Sequence, residues 1–320
     1  MTRAGGLFFI FYVWTALGLA KAEPMFPMAQ QVRAIVEAPA DRLDYANAKV
    51  MIDRLVDPSV DAAATLAEID RMAEIVKEMI ATIPASEQAK SIERLRALKA
   101  FIYQPGHWND QRPFQYDLDD PYGDVFETRL LSGYLKTRKG NCISMPILFL
   151  ALGERLDLDL SLSTAPLHLL VKYTDEQTGK TYNLEPTSGA GFTRDEHYID
   201  QLPITAQAID NGVFLKHLSR KESLAVMAGI VVEWLIDKKR YDEAIAVADV
   251  LIEAYPANGY MMAKKGTAYF HLLHDEFISC YVTEGDIPAN ELARARHLSE
   301  QNNRAFSQAE ALGWRQSSLR

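Results

Sequence analysis

Apolar residues in the first third of the chain recur with the period of an α-helix. From about residue 28 to residue 102 they return every three or four positions, which places them on one face of successive helices. Residues 58–61 supply turn and capping side chains ahead of one helix, and Pro84 with Ser86 separates it from the next. The pattern predicts a bundle or collar of helices ahead of the rest of the chain.

The middle of the chain mixes the periods of helix and strand. Residues 103–122 are rich in Pro, Gly, Asp and aromatics and predict a long ordered loop. Residues 141–156 are apolar on nearly every side, which is typical of a buried helix. Residues 158–165 and 167–173 have the pattern of strands, and residues 180–185 that of a returning strand after a turn. The predicted fold class is α+β, with a small antiparallel sheet.

From Leu224 the sequence is helical again. Residues 225–258 match the 34-residue period of tetratricopeptide helix pairs, with Tyr241 at a position typical of that repeat. Gly266 falls where a second repeat would place its glycine, and the register is lost after His274. Tetratricopeptide-like hairpins and ordinary antiparallel helical hairpins both fit the pattern, because so short an array has few neighbours to bury its faces.

The first residues have the pattern of a secretory signal peptide. Arg3 precedes an apolar run at residues 7–20, and Ala20 and Ala22 are the small residues that a signal peptidase recognises. The run is shorter than the roughly 20 residues of a membrane span, so an uncleaved anchor is the alternative. We expect cleavage to leave Glu23 as the mature N-terminus, export to the periplasm or the medium, and no stable membrane insertion afterwards.

Composition and charge narrow the class of protein. The 320 residues are 48% hydrophobic and 24% charged, close to the globular average, which excludes a disordered or collagen-like chain. The net charge of −9 would repel a phosphate backbone, so nucleic acid is not expected as a partner. The expected division is a signal peptide (1–22), an N-terminal helical region (23–104), an α+β core (105–220) and a C-terminal helical region (221–320).

Cys142 introduces the predicted buried helix. Pro146 lacks an amide donor and is tolerated only near a helix start, so this helix is expected to begin close to Cys142. A thiol there meets the positive end of the helix dipole and unpaired amides, which favour the nucleophilic thiolate. The amide of Cys142 itself is a candidate for holding an oxyanion.

Cys280 is the other cysteine of the chain, and its surroundings predict a thiol buried on a helix that reacts slowly. An exported pair of cysteines leaves a Cys142–Cys280 disulfide open. Against it, two thiols far apart in a chain meet the required geometry only by design.

His168 and Glu185 are the polar residues that the predicted strands bring towards Cys142. In a hairpin with a four-residue loop, Thr174 pairs with Gly179 and His168 directly faces Glu185, about 5 Å apart at the β-carbons. A carboxylate that orients an imidazole, which takes the proton of a thiol, is the logic of a catalytic triad. Each residue also has a structural interpretation, as a small buried hydrophobe, a satisfied core histidine or a surface turn.

Three short motifs together resemble the transglutaminase-like core shared by transglutaminases, papain-like peptidases and many bacterial hydrolases. They are Gly140-Asn141-Cys142 before an apolar helix, Ala165-Pro166-Leu167-His168 opening a strand, and Asn183-Leu184-Glu185-Pro186-Thr187 closing a hairpin. The likeness is strongest over residues 116–191 and is closest to bacterial transglutaminase-like proteins that add helices before the core and tetratricopeptide-type helices after it.

The resemblance implies a role for each of the three residues. Cys142 would be the nucleophile, His168 the general base and Glu185 the acid that orients the imidazole. The usual acid of the superfamily is Asp, so Glu185 departs from the pattern by one methylene. Several relatives have lost the thiol, and the fold therefore does not by itself imply turnover.

Other candidate sites have weaker support. His271 and His274, with Asp275 beside them, offer a metal pair that lacks a third ligand of matching context. Four aspartates between residues 117 and 124 lack the spacing of an EF-hand loop and fit turn chemistry. Phosphate-loop and dinucleotide fingerprints are absent from the sequence, so neither a cofactor nor a metal is expected.

The expected function is an exported thiol enzyme that cleaves or transfers amide acyl groups of a peptide or protein through a Cys142 thioester. The C-terminal helices are a candidate surface for a protein partner. The alternative is a catalytically inactive scaffold that binds a peptide or protein through those helices. Hydrolysis and acyl transfer share the acyl-enzyme and differ only in whether water or an amine attacks it, so both stay open.

Overall fold

The first part of the molecule is helical, as its apolar pattern predicts. The structure is a computed structural model that describes residues 26–88 and 90–316, so the predicted signal peptide lies outside the described residues. The helices are α1 (Pro27–Val36), α2 (Tyr45–Val56), α3 (Ala62–Ala81), α4 (Ala85–Gln88) and α5 (Ser91–Tyr103). The carboxylates of Asp44 and Asp61 accept the amides of Asn47 and Ala64 and so cap α2 and α3.

The α+β core follows, and it confirms the predicted fold class. Its helices are α6 (Leu131–Thr137) and α7 (Ser144–Arg155), and a short parallel pair joins β1 (Gln115–Tyr116) to β2 (Lys139–Gly140). Four antiparallel strands then pair in chain order within the described residues: β3 (Leu160–Ala165), β4 (His168–Thr174), β5 (Thr181–Glu185) and β6 (Gly191–Thr193). The β1–β2 pair and β6 are additions to what the sequence pattern predicts.

The predicted register of the β4–β5 hairpin is wrong by two residues. Thr174 pairs with Thr181, not with Gly179. The Asp175 side chain and carbonyl accept the amides of Gln177 and Gly179, and this local turn delays the first strand pair. A shift of two preserves the face on which each side chain lies, so His168 and the end of β5 remain on one face as diagonal neighbours.

Helices complete the chain after the sheet. They are α8 (Asp195–Gln201), α9 (Ala206–Asp210), α10 (Arg220–Met227), α11 (Gly229–Asp237), α12 (Tyr241–Ala254), α13 (Gly259–Leu273) and α14 (Leu292–Ala311). From α11 onward each helix packs against the next, and a β-carbon at Gly266 would lie 2.7 Å from the Phe306 ring, so glycine permits the close α13–α14 approach. A π-helical turn at His274–Ile278 ends the regular spacing. The tetratricopeptide assignment stays a prediction.

A continuous hydrophobic core joins the N-terminal helices, α7, the sheet and the C-terminal helices. The helix α7 is buried along most of its length and contacts α2, α3, β3 and β4. The helix α1 packs against α12, which brings the two helical regions into contact. Over the part of the chain that the structure describes, no helix combines the length and the apolar character needed to cross a membrane.

A buried ion pair fixes α2 to the chain ahead of α6. Lys49 and Asp53 are both almost fully buried and contact each other through ammonium and carboxylate. Lys49 also donates to the carbonyl oxygen of Arg129 at 3.0 Å, and the other carboxylate oxygen of Asp53 accepts the amide of Leu131 at 2.9 Å. Burial outweighs these contacts and raises the pKa of Asp53.

Candidate active site

Cys142 is buried just ahead of α7, with 3% of its surface exposed. The helix begins at Ser144 because the side-chain oxygen of Asn141 accepts the amides of Ile143 and Ser144, at 3.1 and 3.0 Å. Pro146 therefore falls in the first turn, where its missing amide leaves no hydrogen bond unmade. The predicted position of the thiol, close to the start of the buried helix, is confirmed.

Gly140 is required by the packing around this segment. A β-carbon there would lie 2.5 Å from the ring of Tyr134 and 2.7 Å from the side chain of Met145. Tyr134 is almost fully buried. The glycine lets the chain pass over this ring on its way to Cys142.

The turn between β3 and β4 brings a backbone carbonyl to the thiol. Pro166 and Leu167 form this two-residue turn, and Leu167 has a φ of +55°, a left-handed conformation that costs energy for a leucine. The carbonyl oxygen of Leu167 lies 3.5 Å from the Cys142 sulfur. The strained turn thus sets the distance between the thiol and the first residue of β4, which is His168.

His168 lies between the sulfur and a carboxylate. Its Nε2 atom is 2.8 Å from Oε2 of Glu185, and Cys142 lies near enough to the ring to contribute to the raised pKa of His168. His168 and Glu185 are diagonal neighbours on adjacent strands, and the long glutamate side chain reaches across to the ring. The structure therefore brings together all three residues that the sequence nominates, in the order thiol, imidazole, carboxylate.

Glu185 is held by three further hydrogen bonds. Its Oε1 accepts the amide and the hydroxyl of Thr187 at 3.1 and 2.6 Å, and its Oε2 accepts the Tyr198 hydroxyl at 2.9 Å. Burial alone would raise the pKa of Glu185, but the bonds and charge of His168, with Thr187 and Tyr198, outweigh it and lower the pKa below its usual value. The carboxylate is therefore ionised at neutral pH and faces the imidazole as an anion.

The charge state of His168 follows from the same contacts. Burial acts to lower its pKa, but the hydrogen bonds and charges of Cys142 and Glu185 outweigh burial and raise the pKa to about 9. The ring is then an imidazolium at neutral pH, between a carboxylate and a sulfur. A neighbouring imidazolium favours the thiolate form of a cysteine.

Tyr198 is a site residue that the sequence does not reveal. It lies on α8, which is tied to the sheet because Lys172 and Asn183 both bond Asp195 at the start of that helix, at 3.2 and 2.7 Å. No sequence motif identifies this tyrosine, because its contact with Glu185 depends on how α8 packs against the sheet. Thr187 has a readable signal, because an acid followed by Pro186 is a capping pattern, and Glu185 caps the short 3-10 helix Pro186–Ser188.

The backbone amide of Cys142 makes only a long contact, 3.5 Å to the carbonyl oxygen of Pro121. That carbonyl also accepts the hydroxyl of Tyr116 at 3.0 Å. Burial, followed by the nearby Cys142, raises the pKa of Tyr116 to about 12, so its hydroxyl keeps its proton. An amide held this weakly is available to a ligand, and its role towards an oxyanion stays a prediction.

Outside this site, the expected burial of Cys280 is wrong. Its thiol is exposed because the π-helical turn ends the helix just before it, and both cysteines are free. His271 stacks on Tyr241 with ring centroids 5.2 Å apart, and His274 pairs with Asp275. Among residues 26–88 and 90–316, no group of three or more His, Cys, Asp or Glu side chains could hold a metal ion.

The aspartates near residue 120 serve the turn in which they lie. Asp120 accepts the amide of Asp124 and the hydroxyl of Thr128, both at 2.6 Å, and Asp117 accepts the amide of Asp119 at 3.0 Å. Thr128 in turn accepts the side-chain amide of Asn141 at 3.0 Å. This loop thereby holds the side chain of Asn141, the residue that caps the start of α7.

A buried thiol ahead of a helix, an imidazole on a following strand and a carboxylate on the next define a papain-like arrangement. Residues 63–228 match the family model of the transglutaminase-like superfamily, and the chain belongs to that superfamily.

Curated relatives of this chain are distant. The UPF0162 protein BU173 of Buchnera aphidicola is 26% identical over 154 residues, which are 46% of this chain and 54% of that protein. Protein SirB1 of Salmonella typhimurium is 22% identical over 210 residues, 64% of this chain and 71% of its own length. The chain thus spans about half the length of the Buchnera protein. No solved structure matches the chain.

Replacing Tyr198 with phenylalanine is expected to lower the free energy of unfolding by about 1–2 kcal/mol, because a buried hydrogen bond to a charged group is lost. Glu185 keeps its bonds to His168 and Thr187, so alkylation of Cys142 should change by less than about threefold. Urea titrations and labelling rates measure the two effects. A large loss of thiol reactivity with unchanged stability would contradict this assignment of Tyr198.

Stability should depend on pH through His168. Its pKa is raised from 6.5 to about 9 on folding, so the protonated ring stabilises the fold fully below pH 6.5, and this stabilisation is lost as the pH rises to about 9. Between these values the protein should lose roughly 2 kcal/mol more of its free energy of unfolding than a His168→Gln variant does. Denaturant titrations at pH 6 and 9 provide the comparison, and equal losses in both proteins would contradict it.

Proposed function

We propose that this protein is a thiol enzyme that acts on amide bonds of a peptide or protein. The observation that carries the proposal is the placement of the Cys142 thiol ahead of a buried helix, 3.5 Å from the carbonyl oxygen of Leu167 and next to the hydrogen-bonded pair of His168 and Glu185. In this proposal Cys142 is the nucleophile, His168 transfers protons, and Glu185 is a positioning residue that holds the imidazolium.

The reaction proceeds through a thioester. The Cys142 sulfur bonds to the amide carbonyl carbon, His168 gives its proton to the departing amine, and the C–N bond breaks. Water or a second amine then attacks the thioester carbonyl, His168 takes the proton of that nucleophile, and the C–S bond breaks. Hydrolysis releases an acid and transfer releases a new amide, and both use the same three residues.

The proposal also covers where the protein is located and which part of it binds a partner. We infer export to the periplasm or the medium from the first 22 residues. The C-terminal helices, whether or not they are tetratricopeptide repeats, support the core and offer a surface to a protein partner. The fold alone does not imply activity, and the reactivity of Cys142 separates an enzyme from an inactive binding scaffold.

Alkylation of the native protein with iodoacetamide tests the proposal. Cys142 is buried and Cys280 is exposed, so access alone would make Cys280 react faster. An activated Cys142 should instead react at least about tenfold faster at pH 7, quantified by peptide mass spectrometry on one sample. The rate at Cys142 should stay flat to about pH 9, where His168 loses its proton, whereas an ordinary thiol ionises near pH 8.5 and gains rate steeply.

The same alkylation experiment also identifies the result that would favour an inactive binding scaffold. If Cys142 reacts no faster than Cys280 in the native protein, although both react equally after unfolding, the site is an inactive scaffold. Incubation of an active protein with peptides and a primary amine, followed by mass spectrometry, then tells hydrolysis from transfer. A Cys142→Ala variant is the control for both reactions.

A further inference from the structure

A cavity of about 150 Å³ lies between the β3–β4 turn and the C-terminal helices. One side is lined by residues 164–169, which are the turn and the strand ends beside it, with Ile143 and Ile147 of the segment around α7. The opposite wall is formed by Val226 of α10, Ile230 of α11 and Met261 of α13. The C-terminal helices, which the proposed chemistry does not use, thus build half of a space that reaches His168.

This cavity adjoins His168 and the residues next to Cys142. His168 and Leu167 both line it, and the carbonyl oxygen of Leu167 lies 3.5 Å from the Cys142 sulfur. Ile143, which follows Cys142 in the chain, lines it as well. A group bound in the cavity would therefore be attached close to a carbonyl that Cys142 attacks.

The charged side chains in the lining already have partners. Glu233 pairs with Arg129 at 3.0 Å and with Lys264 at 3.6 Å, and Lys49 pairs with Asp53. Arg315 donates to the carbonyl oxygens of Glu310 and Trp314, both at 2.8 Å. Most of the remaining lining is aliphatic or aromatic. An uncharged apolar group suits this cavity better than an ionic one.

Size and surroundings narrow the group further. A cavity of about 150 Å³ with apolar walls is known to hold one benzene-sized molecule, so a single phenylalanine or leucine side chain fits and a long lipid chain does not.

The loop before Cys142 also exposes apolar side chains, with Leu118 82% and Val125 50% exposed. Its backbone joins the site, since the amide of Asp117 bonds the carbonyl of Gly140 at 2.7 Å.

We propose that the cavity is a specificity pocket, built in part by the C-terminal helices, for one large apolar side chain of a peptide substrate. This side chain belongs to one of the two residues on the acyl side of the amide that Cys142 attacks. The inference rests on the proposed function, since it assigns the substrate class of the same site. It gives the C-terminal helices a role in choosing the substrate.

Peptidyl chloromethyl ketones test the pocket without knowledge of the natural substrate. The Cys142 sulfur displaces chloride from the reagent, a C–S bond replaces the C–Cl bond, and no co-reactant is needed. Rates are compared for reagents with two glycines and for reagents with Phe, Leu or Trp in place of either glycine. We expect the Phe or Leu reagent to label Cys142 at least about tenfold faster than the diglycine reagent, as buried apolar contacts of this size allow.

Two variants of Val226 locate the effect in the cavity. Val226→Phe fills the space and should reduce the preference for Phe over Gly to less than about threefold. Val226→Ala enlarges the space and should raise the rate with the Trp reagent, relative to the Phe reagent, by about fivefold or more. Because the wild-type ratios and Val226→Ala suffice, the test survives if Val226→Phe does not fold.

The outcomes separate the two proposals. If iodoacetamide labels Cys142 faster than Cys280 but the wild-type protein takes all the peptidyl reagents at equal rates, the pocket is overturned and the thiol enzyme stands. If the preference exists but neither Val226 variant changes it, the pocket lies elsewhere and this inference is wrong. If iodoacetamide labels Cys142 no faster than Cys280, the proposed function fails and the pocket fails with it.

Discussion

Replacing His168 with alanine is expected to slow the alkylation of Cys142 at pH 7 by about tenfold or more. In the folded protein the ring has a pKa raised to about 9, so at pH 7 it is a cation near the sulfur. Without that cation, a cysteine near neutral pH is only a few per cent thiolate, and the thiolate is the form that reacts. Turnover of any amide substrate should fall further, by about 10²–10⁴-fold, because proton transfer to the leaving amine is lost as well.

Cys280 and Glu185 provide the references for this measurement. Cys280 is exposed, makes no contact with the site, and should alkylate at the same rate in every variant. Glu185→Gln keeps the shape of the side chain but removes the charge that holds the imidazolium, so its effect should lie between those of the wild type and His168→Ala. The pH profile identifies a positioning role, since Glu185→Gln should lower the pH up to which the rate at Cys142 stays flat. Equal rates in all three proteins would show that His168 does not activate the thiol.

Cys142, His168 and Glu185 could be predicted because each lies near the start or end of a helix or strand that is recognisable in the sequence. Pro146 places a helix start near Cys142, and the polar turn after Thr174 pairs the strands that carry His168 and Glu185. The predicted register is wrong, because hydrogen bonds of Asp175 within the loop are not visible in an apolar pattern. The predicted faces are correct, since an error of two residues preserves the alternation of side chains along a strand.

Contacts that depend on how helices pack against the rest of the protein could not be predicted. Tyr198 reaches Glu185 because α8 is fixed against the sheet, and nothing in its local sequence indicates that partner. The exposure of Cys280 depends on where a helix changes to a π-helical turn, which an apolar period does not resolve. The cavity between the β3–β4 turn and α10 requires the relative placement of two regions, so it too is a property of the tertiary structure.

Replacing Asp53 with alanine is expected to lower the free energy of unfolding by about 3–5 kcal/mol, the largest effect on stability that we expect of a single substitution here. The change leaves the ammonium of Lys49 in the core without its carboxylate, and it leaves the amide of Leu131 without its acceptor. Lys49 also donates to the carbonyl of Arg129, whose side chain pairs with Glu233 beside the cavity. Loss of the pair should therefore loosen α2 and the part of the cavity lining that Lys49 and Arg129 form.

Denaturant titrations of two further variants test this explanation. Glu68→Ala removes the partner of Arg71 in an exposed ion pair on α3 and should lower the free energy of unfolding by less than about 1 kcal/mol. The comparison shows whether the large loss in Asp53→Ala comes from burial of the ion pair or from charge pairing alone. Lys49→Met combined with Asp53→Leu removes both buried charges and should recover most of the stability lost in Asp53→Ala. If the double variant is as unstable as Asp53→Ala, the loss comes from packing and from the amide of Leu131, and the unpaired ammonium is not its cause.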